Sequence, residues 1–282
     1  MTVSPESALS GHDNSIGALL SDTERAAFSA IECLDPSYPL LLVCDHASNR
    51  IPDSLRQLGL PEGVLQQHVA WDIGAAEVTA LLAARLNVPA VFANYSRLVV
   101  DCNRPLSHRQ AFPDYSDGHV VPGNQNLGEV ARQQRVNEIF EPYHHAVASN
   151  LKSLQSLGIY PALIAIHSFT PAMDGYKRPW HCGILWDKDP RLAEPMLEKL
   201  RALGSFDVGN NQPYSGRHPE DYTLDTHAEV AGLPHVAIEL RQDLIAHPEG
   251  AAQWAGILAT VLKPLLDDQK LFTQYEESVY GS

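Results

Sequence analysis

The chain has 282 residues, enough to bury a substantial core, and its 44% hydrophobic and 19% charged residues place it among folded globular proteins rather than disordered ones. A formal net charge of −14 repels a phosphate backbone, so nucleic acid is not expected as a partner, although a local arginine pair can still hold a small anion. No stretch approaches the ~20 apolar residues that span a bilayer, and the four cysteines, Cys33, Cys44, Cys102 and Cys182, lie too far apart to suggest a disulfide framework or a cysteine metal site.

Residues 1–24 read as a polar N-terminal arm without the basic-then-apolar layout of a signal peptide, which predicts a cytoplasmic protein. Residues 25–282 read as one domain, since neither a repeat nor a low-complexity linker divides them. Residues 40–43 form a short apolar strand that breaks into polar residues at Cys44 and Asp45. Helical spacing follows over 69–86, with Asp72 near its start. Residues 90–92 and 98–100 read as strands, the second ending at Asp101. The longest helical stretch is 128–157, with Pro142 as a kink or break. Residues 162–166 are a strand ending at His167, 183–186 another, 191–203 a helix, 236–238 a strand ending at Glu239, and 250–266 a closing helix. Alternating strands and helices predict an α/β fold, with a mixed, mostly parallel sheet covered on both faces. The polar stretches 104–127 and 205–228 are long enough to be functional loops.

Four apolar runs end in ionisable residues: His46, Asp101, His167 and Glu239. In open α/β sheets, ligands bind outside the carboxyl ends of the strands, so residues distant in sequence converge there. Two histidines and a carboxylate are the ligand set of catalytic zinc with one position left open.

The segment Ile238–Asp243 (IELRQD) resembles the catalytic-glutamate segment of zinc carboxypeptidases, and His167-Ser168-Phe169 resembles the segment carrying their last zinc ligand. Asp101-Cys102-Asn103-Arg104 resembles the D-x-N-R segment of aspartoacylase and succinylglutamate desuccinylase, in which Asn and Arg hold the substrate carboxylate. More narrowly, CDHASNRIP, WDIGA, YSRLVVDCNRP, IHSFTP, NQPYSGR and HVAIELRQDLI, taken in order over about residues 38–265, are similar to the N-formylglutamate amidohydrolase family. The resemblance implies a zinc-exopeptidase-like (phosphorylase/hydrolase-like) fold, one divalent metal, zinc, and a small N-acyl amino acid as substrate. Carried over in full, it implies hydrolysis of N-formyl-L-glutamate to formate and glutamate.

One departure bears on the metal. The superfamily's first ligands come as His-x-x-Glu, whereas His46 is followed three residues on by Asn49, a poor zinc ligand beside a carboxylate. The expected ligands are therefore His46, Asp72 and His167, with Asn49 and Asp45 as alternatives for the third position. Asp72 is expected to be kept ionised by a helix N-terminus. Glu239 is the expected general base and then acid, unless it is a salt-bridge partner of Arg241. Arg104, Asn103 and Arg97 are candidate carboxylate clamps, Arg97 having Asp101 as another possible partner. Tyr214, Ser215 and Arg217 are candidates for lining the pocket or holding an oxyanion, with a plain turn as the alternative, and His227 for a polar contact, a reserve proton carrier or a structural helix position. Two other functions stand beside the hydrolase: a ligand-binding homologue that has lost its metal, and a metallopeptidase of small peptides.

Overall fold

The computed structural model describes residues 17–155, 159–217 and 221–276. Seven strands form the main sheet: β1 (Phe28–Ile31), β2 (Leu40–Cys44), β3 (Ala90–Ala93), β4 (Ala162–Phe169), β5 (Cys182–Leu185), β6 (Val208–Asn210) and β7 (His235–Arg241). Their spatial order is β1-β3-β2-β4-β7-β5-β6. The four central strands, β3, β2, β4 and β7, run parallel. β1 joins β3 antiparallel at one edge, and on the other side β5 runs antiparallel to β7 while β6 pairs parallel with β5. This is a single α/β domain with the mixed, mostly parallel sheet that the alternating pattern predicts. The two outermost strands escaped the sequence reading, because FSAI and VGN are short and only partly apolar.

Both faces of the sheet are covered, so β2 and β4 are buried at every residue and read as continuous apolar runs. Alternation along each strand separates the two cores. Leu40, Leu42, Ile164, Ile166 and Ile238 face α1 (Ala75–Leu86), α3 (Pro190–Ala202) and α4 (Pro248–Leu266). Leu41, Val43, Leu163, Ala165 and Ala237 face a second layer, built from α2 (Glu141–Gln155) and the buried segments before and after β3. That alternation also places Asp45, His167 and Glu239 on the second side, at the carboxyl ends of three adjacent strands.

The helical stretch predicted over 128–157 continues past Pro142. Glu129–Arg135 leads into a wide π-type turn, Val136–Phe140, and then directly into α2. The wider turn falls just before the residue that has no N–H to donate, so the column runs on without a break. Residues 156 and 157 of that prediction lie outside the described residues, as do residues 1–16 of the polar arm. What is described of the arm is anchored: the backbone N–H groups of Leu19 and Leu20 each donate to the Glu138 carboxylate at 2.9 Å.

Two predicted elements differ in ways that matter for the site. Residues 98–100 are a buried turn and not a strand. Their carbonyls are satisfied by side chains: Asn124 Nδ2 donates to Leu98 O at 2.8 Å, and Arg135 Nη1 to Val99 O at 2.9 Å. An apolar run capped in this way looks like a strand in sequence, because only its burial shows there.

The helix predicted from residue 69 begins at Ala75. Asp72 therefore sits in the preceding turn, where its N–H donates to His46 O at 2.9 Å. Gly74 ends that turn with φ +83°, and a Cβ there would lie 2.2 Å from Ile245 O. Gly74→Ala should accordingly cost at least about 2 kcal/mol in denaturant unfolding, since it combines an unfavourable φ with a backbone clash. A variant of unchanged stability would show that the turn relaxes freely.

Candidate active site

The carboxyl ends of β2, β4 and β7 open into a cavity of about 450 Å³. Its lining includes His46, Asp72, Arg97, Asn103, Arg104, His167, Ser168, Tyr214, Ser215, Asp221 and Glu239. Within the sheet, Glu239 is the direct register partner of His167 on the neighbouring parallel strand.

His46, Asp72 and His167 form the centre. One ligand atom from each lies within 4.8 Å of the others, and all three residues are buried. Asp72 Oδ2 faces both Nδ1 atoms, at 3.4 Å from His46 and 2.9 Å from His167, while its Oδ1 takes a hydrogen bond from Arg97. The far side of each imidazole meets another carboxylate: His46 Nε2 lies 2.7 Å from Asp101 Oδ1, and His167 Nε2 lies 3.3 Å from Asp45 Oδ2. Asp45 is held in turn by Tyr143 and Thr223, whose hydroxyls donate to its Oδ1 at 2.8 and 2.6 Å. Imidazoles backed by carboxylates and turned toward a shared third ligand have the outer arrangement of histidine metal sites.

Charge follows geometry here. Burial opposes ionisation of Asp72, but Arg97 and the two imidazoles outweigh it and hold the carboxyl well below its usual value. Arg97 and the histidines, rather than a helix end, keep Asp72 charged. Burial likewise pushes Asp45 upward, yet His167 and its hydrogen bonds bring it down to about 2. The surrounding carboxylates raise both His46 and His167 in spite of burial. Glu239 goes the other way: burial dominates and lifts it to about 7, with Asp72 adding to the rise and His167 and Arg97 opposing it. Its Oε2 is buried, with no hydrogen-bond partner among the described residues. Arg241 is not its salt-bridge partner, since that guanidinium donates to Asp243 at 2.8 Å.

The remaining sequence candidates divide clearly. Asn49 turns away from the centre and donates from Nδ2 to Leu65 O at 2.9 Å. Arg97 reaches the cavity because 98–100 is a turn, and its partner is Asp72 rather than Asp101. Asn103 and Arg104 line the cavity, the Asn103 amide oxygen accepting from Thr223 N at 2.9 Å. Tyr214 and Ser215 line it as well, whereas Arg217 is exposed outside it.

His227 also lies outside the cavity lining. It meets His144, with 3.0 Å between His227 Nε2 and His144 Nδ1. Because His144 Nε2 must donate to Cys102 O at 2.9 Å, its Nδ1 accepts, and His227 is the donor. The pair braces the backbone that carries Asn103. Of the alternatives the sequence leaves open for His227, its contact with His144 fits the structural helix position, and polarity alone does not tell which way a helical side chain points. Thr223 and Tyr143 give no local signal in the sequence, because they hold Asp45 across 178 and 98 residues of chain, while Asp221, in the cavity wall, caps the short helix that carries Thr223 by accepting from Leu224 N.

One oxygen of the buried Glu239 carboxyl, with no hydrogen-bond partner among the described residues, thus shares a cavity with two imidazoles and the Asp72 carboxylate. These residues line one cavity at the carboxyl ends of an α/β sheet, and comparison with known proteins supplies the class. The family model described as N-formylglutamate amidohydrolase matches residues 38–246. A curated N-formylglutamate deformylase of Pseudomonas putida is 24% identical over 221 residues, covering 72% of this chain and 80% of that protein. Among solved structures, the gene product Atu2144 of Agrobacterium tumefaciens is 37% identical with a TM-score of 0.85, covering 89% of this chain and 99% of its own. An N-formylglutamate amidohydrolase of Ralstonia eutropha JMP134 shares the fold at a TM-score of 0.63 and 15% identity, over 87% of this chain and 99% of that one. The chain belongs to the N-formylglutamate amidohydrolase family, and with it to the hydrolases of amide C–N bonds.

Proposed function

We propose that this protein hydrolyses N-formyl-L-glutamate, or a close N-acyl amino acid, to the carboxylic acid and the free amino acid, using one divalent metal, zinc, held by His46, Asp72 and His167. The observation that carries the reading is the single cavity in which that cluster, the buried Glu239 carboxyl and the Asn103-Arg104 pair all meet.

The donor set fits a metal. Two imidazole nitrogens and one carboxylate oxygen converge, His46 Nδ1 and His167 Nδ1 both face Asp72 Oδ2 at 3.4 and 2.9 Å, and carboxylates crowd the cluster from behind. A bound divalent ion supplies Lewis-acid polarisation of the scissile carbonyl and acidifies water. Glu239 does the proton work: Oε2 takes a proton from the attacking water and later delivers it to the leaving amide nitrogen. Arg97 neutralises Asp72 on the side away from the imidazoles. Arg104 offers a guanidinium to a substrate carboxylate, and Asn103 offers its amide nitrogen, its oxygen being taken by Thr223. A cavity of about 450 Å³ suits a small acyl amino acid better than a folded polypeptide. With four unpaired cysteines and no helix among the described residues long and apolar enough to cross a membrane, we assign the protein to the cytoplasm.

The test is a panel of N-formyl, N-acetyl and N-succinyl derivatives of acidic and neutral amino acids. The acidic N-formyl compounds should be cleaved fastest. Arg104→Ala should weaken carboxylate binding by roughly 1.5–3 kcal/mol, the range for a charged hydrogen bond, and raise KM more than it lowers kcat. Equal cleavage of neutral and acidic members would remove the carboxylate clamp.

A further inference from the structure

The hairpin that follows β4 brings a further arginine to the edge of the cavity. Its short strands, Ala172–Met173 and Tyr176–Lys177, are joined by Asp174 and Gly175, both at positive φ, as a two-residue hairpin turn requires. Arg178 comes directly after the second strand and is 7% exposed. Its Nη1 donates to Thr170 O at 3.3 Å, to Thr170 Oγ1 at 3.0 Å and to the Tyr214 phenol oxygen at 3.1 Å, and Nη2 lies 3.0 Å from Met173 Sδ. The guanidinium carbon also lies 4.8 Å from the centre of the Tyr214 ring and 5.8 Å from that of Phe169.

Among the described residues this buried cation has no carboxylate partner. A guanidinium is costly to bury in that condition, and what it holds in place of a carboxylate is a residue of the cavity wall. Tyr214 lines the cavity together with Glu239, and it belongs to a different loop from the hairpin. A phenol oxygen that accepts a charged N–H has its own proton left to donate. No described residue accepts that proton, while cation–π packing fixes the ring from one side.

We propose that Arg178 is a positioning residue, clamping Tyr214 in the wall of the cavity with its hydroxyl set to donate to an oxygen of the bound N-acyl amino acid. The assignment rests on the amidohydrolase reading above and adds to it the group that orients one of the protein's hydrogen-bond donors toward the substrate. It also explains why the hairpin is tied to Thr170 at its base: that contact fixes the height of Arg178 beside the cavity.

The test is a double-mutant cycle, run with whichever panel substrate the wild type cleaves fastest and with folding checked by thermal unfolding. Tyr214→Phe keeps the ring and its stacking but removes the donor, and kcat/KM should fall by roughly 10- to 100-fold, as for one hydrogen bond to a charged oxygen. Arg178→Met keeps length and apolar bulk without the N–H groups and should cause a loss of similar size. Combined, the two should be no worse than Tyr214→Phe alone, because both act through one hydroxyl. Arg178→Lys, which keeps a charged donor, should recover part of the activity, and it replaces Arg178→Met in the cycle should the latter not fold. Losses that multiply in the double variant, or a Tyr214→Phe enzyme with wild-type kinetics, overturn the assignment and leave the amidohydrolase reading intact. A wild type inert toward the whole panel overturns that reading, and the Arg178 assignment with it.

Discussion

Glu239→Gln should keep the fold and the metal while turnover falls by roughly 10²–10⁴-fold, the usual loss when a general acid–base group is removed. The amide matches the carboxyl in size and polarity but cannot take a proton from water. The same substitution should have the opposite effect on stability in metal-free protein. Burial raises the Glu239 carboxyl from its ordinary value to about 7 in the folded chain. Between those two values the folded state holds the proton more tightly than the unfolded state, so stability falls as pH rises through that window. Above it the folded protein carries the full cost of a buried, ionised carboxyl. Gln removes that cost, so metal-free Glu239→Gln should be more stable than metal-free wild type at pH 8, on the order of 1–3 kcal/mol, and show little gain at pH 4. Stability curves at the two pH values, measured beside steady-state kinetics, test both halves. Near-normal turnover would reduce Glu239 to a structural residue, and equal stability at pH 8 would mean that its carboxyl is better solvated than its burial implies.

The strand that carries Glu239 also shows what sequence could and could not reveal. β2, β4 and β7 were legible because a strand buried on both faces must be apolar at every position, so the first polar residues, Asp45-His46, His167 and Glu239, marked where each left the core. The 98–100 turn defeated the same logic. Its residues are as apolar as a strand's, and the groups that satisfy its carbonyls, Asn124 and Arg135, come 26 and 36 residues later. A strand over 98–100 would hold Arg97 away from the residues beyond its carboxyl end, whereas the turn brings it against Asp72. Asp72 was found for an incomplete reason. Its place just before a helix suggested ionisation by the helix end, whereas a side-chain cation and two imidazoles perform that task. Asp45 and Asp101 could be noticed as polar residues at the end of apolar runs. Their positions behind His167 and His46 became visible only when the chain was folded, because hydrogen bonds across the sheet leave no periodic trace.

Those two carboxylates sharpen the expectation for the metal, whose loss should abolish activity outright. Protein purified without added metal should carry one equivalent of divalent ion by elemental mass spectrometry, and His46→Ala or His167→Ala should each lose it while the fold survives. Asp72→Ala should also lower occupancy, and it leaves the Arg97 cation beside the two imidazoles without its carboxylate. Asn49→Ala should matter least, because the Asn49 amide is engaged with Leu65 O. Asp101→Asn and Asp45→Asn discriminate further. Neither residue belongs to the inner cluster, but each backs one imidazole, at 2.7 Å and 3.3 Å. Removing such an outer carboxylate typically costs 10- to 100-fold in metal affinity or activity, so occupancy in these variants should be recoverable by added zinc, as it should not be in the histidine variants. The shorter contact predicts that Asp101→Asn suffers more than Asp45→Asn, whose neighbours Tyr143 and Thr223 still hold the side chain in place. Full occupancy in both histidine variants would remove the proposed centre. A loss in Asn49→Ala greater than in Asp72→Ala would transfer the third position to the amide, and the turn that Gly74 closes would then serve only to hold the fold.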